Sequence, residues 1–218
     1  MRATAIVPVK RFGAAKTRLS EVLGPHERGG LAEAMLADVL AALGRSERIE
    51  RTIVVSGEAA AERAAEAAGC VLLPDREDAG HSQAAALGVR AALARGAECV
   101  ALLPGDCPLL RASELDEALS TLAPPVAAIV PDRHGSGTNG LLLSPPDAIS
   151  PAFGPGSRER HLDLARRADV EARVAEISSL ALDLDTADDL RELGHRLTMQ
   201  PDLAPRTARA LESLSPWS

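Results

Sequence analysis

Of the 24 basic residues in this 218-residue chain only two are lysine, Lys10 and Lys16, and both fall in one amino-terminal segment with Arg11 and Arg18. Gly13, Ala14 and Ala15 lie between them. Small residues let backbone N–H groups approach phosphate oxygens while cations neutralise them, and a compact ammonium suits such a cradle better than a planar guanidinium. The segment therefore reads as a triphosphate-binding loop in preference to a solvated basic loop. It contains neither the G-K-[ST] of a Walker A loop nor a G-x-G-x-x-G fingerprint.

Two acidic groups complement these cations. Asp106 stands in Pro104-Gly105-Asp106-Cys107-Pro108, directly after an apolar run. Ser113, with Asp116 three residues on, is the expected cap of the next helix, which leaves Asp106 for a ligand. A hard cation such as Mg²⁺ takes one or two carboxylates together with phosphate oxygens and water, which suits an aspartate facing a phosphate loop. Farther on, Asp183 and Asp185 alternate with Leu182 and Leu184. On a strand they share one face with α carbons about 7 Å apart, and a bound cation would relieve their repulsion. Asp188 and Asp189 follow Thr186, a natural helix cap, and read as first-turn residues favoured by the helix dipole.

Two further segments have the character of polar-ligand loops. Residues 134–140 combine glycines with Ser136 and Thr138, a pattern that also suits a plain turn. In residues 153–161, Ser157 is the expected N-cap, with Arg158 and Arg160 in the first turn. Cations oppose the dipole there, so either an anion binds at that helix start or both arginines point to water.

These residues need a scaffold that gathers strand ends. Buried-strand runs occur at 3–9, 52–56, 70–73, 99–103, 126–130, 139–143 and 180–184, most of them continuously apolar. Helical patterns fill the intervals at 26–43, 58–68, 82–95 and 114–122. Such alternation indicates βαβ units and an α/β three-layer sandwich with a mostly parallel central sheet, in which ligands collect beyond the carboxyl ends of the strands. Proline-rich stretches around 124–155 suggest an elaboration at one sheet edge. Residues 1–195 form the expected domain, and 196–218 a tail with a short helix near 207–214.

Composition excludes several function classes. Phe12, Phe153 and Trp217 are the only aromatics, too few for a base-stacking surface, and the net charge of −7 gives no field to attract nucleic acid or anionic lipid. No apolar stretch approaches the ~20 residues that span a bilayer, and the amino terminus lacks a signal-peptide pattern, so a cytoplasmic protein is expected. Cys70, Cys99 and Cys107 have no metal-ligand spacing and read as reduced thiols, two of them in buried strands.

Taken together, the motifs resemble the 2-phospholactate guanylyltransferase family, including the phosphoenolpyruvate guanylyltransferases of coenzyme F-420 biosynthesis. The resemblance runs from Ala5 to about Leu193 and rests on residues 7–19, 104–108, 137–139, 153–157 and 183–186. It implies a nucleotidyltransferase fold of the nucleotide-diphospho-sugar transferase (GT-A-like) kind, GTP and Mg²⁺ as reaction partners, and release of pyrophosphate. By the same resemblance Asp106, Asp183 and Asp185 would be metal ligands. Thr138, Gly154 and Ser157 would hold phosphoenolpyruvate or 2-phospho-L-lactate, and Lys10, Lys16 and Arg18 would meet the GTP phosphates. A downstream transferase would consume the guanylylated product. One departure is evident: the family often carries G-L-N where this chain has Gly80-His81-Ser82-Gln83. Alternative readings are a molybdenum-cofactor or sugar-phosphate nucleotidyltransferase, and a noncatalytic phospho-receiver or nucleotide sensor. A receiver is usually little more than half this length and has no use for the basic loop.

Overall fold

The computed structural model describes residues 2–10, 19–77 and 79–214. Seven strands form one sheet: β1 (Ala3–Val9), β2 (Ile49–Ser56), β3 (Val71–Pro74), β4 (Val100–Leu102), β5 (Val126–Pro131), β6 (Thr138–Ser144) and β7 (Glu171–Val174). Their order is β3-β2-β1-β4-β6-β5-β7. Strand β6 is antiparallel to both neighbours, and every other pairing is parallel. The helices are α1 (Pro25–Gly44), α2 (Ala59–Ala67), α3 (His81–Leu93), α4 (Ala112–Ser120), α5 (Ser157–Arg167), α6 (Ala187–Met199) and α7 (Pro205–Ser213).

Alternation along the strands builds two aliphatic cores. Ala5, Val7, Val54, Ala101 and Leu142 face one side, with α1, α2, α4, α6 and α7 over them. Ile6, Ile53, Val55, Leu102, Leu141 and Leu143 face the other, beneath α3 and α5. This is the expected three-layer sandwich, and burial of each large aliphatic side chain contributes about 1.5–3 kcal/mol. Gly88 lets α3 sit close on the sheet, since a Cβ there would lie 2.4 Å from Ile6 Cγ2.

Two expectations fail. Residues 180–184 pair with no strand; a 3₁₀ turn at Ser178–Leu180 leads into irregular backbone. Leu180, Leu182 and Leu184 are nevertheless buried while Asp185 is exposed, so the alternation anchors the segment without a ladder. The remaining strand is instead β7, an edge strand with Glu171 and Val174 exposed, which lacks the continuous apolar run of a covered strand. The cysteines also differ from expectation: Cys99 and Cys107 are buried and Cys70 is only partly so. At the carboxyl end α7 packs against α1. Asp38, 3% exposed, accepts from the Thr207 amide and hydroxyl at 2.8 Å each.

Candidate active site

Because β6 runs against the sheet, its first residues lie at the same end as the last residues of β1 and β4. Lys10 after β1, Asp106 after β4 and Thr138 at the start of β6 thereby share one end of the sheet. His81, the first residue of α3, joins them. Its pKa is lowered, chiefly by burial, with the charge of Asp106 opposing and that of Lys10 reinforcing the shift. Lys16 and Arg18, together with Phe12, lie outside the described residues.

The acidic segment is held from several directions. Ser178 Oγ and the Ser179 amide donate to Glu114 on α4, at 3.0 and 2.9 Å, and Ser179 Oγ accepts from the Arg111 amide. Asn139 Nδ2 donates to the Leu180 carbonyl at 2.8 Å and to Asp183 Oδ1 at 3.3 Å. Burial raises the Asp183 pKa, and the charges of Asp106 and Asp185 raise it further, against the opposing Asn139 hydrogen bond. Asp183 is therefore within electrostatic reach of the other two expected metal ligands. Among the described residues no three His, Cys, Asp or Glu side chains form a ready-made metal cage. A mutually repelling carboxylate group still fits Mg²⁺, which completes its shell with phosphate oxygens and water.

The capping expectations need correction. Thr186 caps α6 as anticipated, but Asp189 is no ordinary first-turn charge. It is 2% exposed, its Oδ2 accepts from the amides of Asp185 and Thr186 and from the Thr186 hydroxyl, and its Oδ1 meets Arg133 Nη1 at 2.5 Å. Asp188 by contrast is exposed. For α4 the N-cap is Arg111, not Ser113, and Asp116 serves the turn before β2, accepting from Ser46 Oγ and the amides of Glu47 and Arg48.

On the acceptor side, Ser157 is the first residue of α5 and 1% exposed; the N-cap is Gly156, whose positive φ of 69° suits glycine. The arginines do not simply point to water. Arg158 Nη1 donates to the Gly135 carbonyl at 3.0 Å, tying α5 to the loop before β6. Arg160 donates to the carbonyls of Ala152, Phe153 and Pro155, closing the loop that carries Gly154. Loop carbonyls thus take part of the arginines' donor capacity, while the buried Arg158 Nε has no hydrogen-bond partner among the described residues. Sequence reasoning missed His161, which is fully buried one turn beyond Ser157. Its Nδ1 lies 3.1 Å from Thr138 Oγ1, and its Nε2 accepts from the Ala152 amide at 2.9 Å. Phe153 meets His161 and His81 edge-on, with ring centroids at 5.3 and 4.9 Å. Asn139 lies within the motif at residues 137–139, but its contact with Asp183, 44 residues away, has no local signature.

Solved structures share this architecture. A nucleotidyl transferase from Methanothermobacter superposes with a TM-score of 0.67 at 16% identity, covering 91% of this chain and 98% of that one. A Desulfovibrio desulfuricans protein assigned to the nucleotide-diphospho-sugar transferases gives 0.75 at 21% identity, over 97% and 95%. At these identities the likeness concerns the fold alone. In sequence the chain is 43% identical to the phosphoenolpyruvate guanylyltransferase of Conexibacter woesei over 216 residues, 98% of this chain and 97% of that one. It is 40% identical to the enzyme of the same name from Sphaerobacter thermophilus, over 89% and 94%. A model of guanylyl transferases described as CofC-like matches residues 3–196, a span that contains every motif named above. The chain belongs to the CofC-like guanylyl transferase family.

Proposed function

We propose that this protein transfers GMP from GTP to phosphoenolpyruvate with release of pyrophosphate, in the cytoplasm and as a step of coenzyme F-420 biosynthesis. The observation that carries this reading is the 43% identity, over nearly the full length of both chains, to a phosphoenolpyruvate guanylyltransferase. The acceptor already bears the nucleophile. A phosphate oxygen attacks the α-phosphorus of GTP, the bond from that phosphorus to the bridging oxygen breaks, and pyrophosphate departs. No protein nucleophile is needed, so positioning and charge stabilisation do the catalytic work.

Lys10, with Lys16 and Arg18, would meet the triphosphate, and Thr138, Gly154 and Ser157 the acceptor. Asp106, Asp183 and Asp185 would hold Mg²⁺, which when bound supplies charge compensation to the triphosphate oxygens. A transferase acting next would consume the anhydride product. The test is pyrophosphate release with GTP and either phosphoenolpyruvate or 2-phospho-L-lactate, with product mass. Release with phosphoenolpyruvate and a mass equal to its GMP adduct is expected. Turnover only with 2-phospho-L-lactate would change the acceptor, and no turnover with either would overturn the reading.

A further inference from the structure

We propose that His161 is a positioning residue for the acceptor: its Nδ1–H donates to Thr138 Oγ1, which leaves the threonine's own proton to be donated to the phospho-acid. The inference rests on the acceptor role proposed for Thr138 and adds to it a residue that never touches substrate. The tautomer follows from the partners. A backbone amide can only donate, so Nε2, which receives the Ala152 N–H at 2.9 Å, must be the unprotonated nitrogen. The single proton of the neutral ring then sits on Nδ1, facing Thr138 Oγ1 at 3.1 Å. A hydroxyl that accepts from the ring keeps its own O–H for another acceptor.

The surroundings enforce the neutral form. His161 is fully buried, and burial followed by the Arg160 charge pushes its pKa down to about 4. A doubly protonated ring would also set Nε2–H against the Ala152 amide. The same imidazole thus joins the two acceptor loops, one through Thr138 and the other through Ala152, two residues before Gly154. Phe153 packs edge-on against the ring and holds its plane.

Two substitutions separate the contacts. His161→Gln can reach the Ala152 amide from the Nε2 position but gives up the Nδ1 contact; His161→Asn keeps a donor near the Nδ1 position. His161→Gln should raise the acceptor KM about tenfold with GTP affinity unchanged, His161→Asn should recover most of that loss, and His161→Gln should add nothing in a Thr138→Val background. Melting temperatures accompany each variant. Should either variant fail to fold, the ¹⁵N chemical shifts of His161 in the intact wild-type protein still decide, because an Nδ1–H tautomer is required and an Nε2–H tautomer overturns the proposal. Wild-type turnover with an unchanged acceptor KM in His161→Gln, or additive effects with Thr138→Val, would also overturn it. Absence of wild-type turnover would instead overturn the functional reading, and this inference with it.

Discussion

The two sides of the candidate site are built on opposite electrostatic terms. On the acidic side Asp106 and Asp185 both repel Asp183, which is held partly buried with a raised pKa. On the acceptor side the polar groups are largely tied into the fold: Arg158 and Arg160 donate to loop carbonyls, and His161 is kept neutral between Thr138 and Ala152. The lesson is that one half holds a partly buried carboxylate, Asp183, under like-charge repulsion which a bound cation would relieve, whereas the other half is a set of donors already fixed by hydrogen bonds within the fold. Strain of the first kind trades stability for function, while preorganisation of the second kind stabilises and positions together.

The largest effect should come from the strained side. Asp183→Asn and Asp106→Asn should each lower turnover by at least about a hundredfold, as loss of transition-state charge compensation requires. Asparagine keeps an oxygen for Asn139 and removes the repulsion, so the melting temperature of Asp183→Asn should hold or rise. A fall in both activity and melting temperature would break the contrast. Next, Asp189→Asn should destabilise by about 2 kcal/mol in chemical denaturation, because it disturbs a buried capping box and an ion pair. The exposed Asp188→Asn should cost only about 0.3 kcal/mol.

A smaller effect is expected at the acceptor loop. Arg160→Ala removes the donors that close residues 152–155 and should raise the acceptor KM about threefold, with GTP affinity intact. A separate effect acts on stability through pH. Between pH about 6.5 and about 4 the unfolded chain takes up a proton at His161 that the folded chain refuses. This residue therefore removes stability as pH falls through that window and has no such effect above it. Thermal melts from pH 7 to 4 of wild type and His161→Gln should diverge in slope only there.

Much of this was legible in the sequence, for physical reasons. Covered strands such as β1 and β5 declare themselves as apolar runs, and motif residues after strand ends had to meet at one end of the sheet. An edge strand has no such signature, so Glu171–Val174 passed unnoticed while the leucine alternation of 180–184 imitated a strand. Within the site, residue types suggested which side chains bear charge but not what they touch. Arg160 looked poised for an anion until its carbonyl partners were visible, and His161 sits 23 residues from the threonine it orients. Such contacts come from the antiparallel turn into β6 and the docking of α5, which no local pattern encodes.

The division of the candidate site is tested most directly by measuring GTP affinity and acceptor KM side by side in Ser157→Ala, with Asp183→Asn as the opposing control. Ser157 opens α5 between the two acceptor loops, and alanine fits its buried position without crowding. The account predicts that Ser157→Ala raises the acceptor KM about tenfold and leaves GTP affinity within about twofold, while Asp183→Asn abolishes the Mg²⁺ dependence of GTP binding. Weakened GTP binding in Ser157→Ala with an unchanged acceptor KM would contradict it, and would assign the loop to the nucleotide.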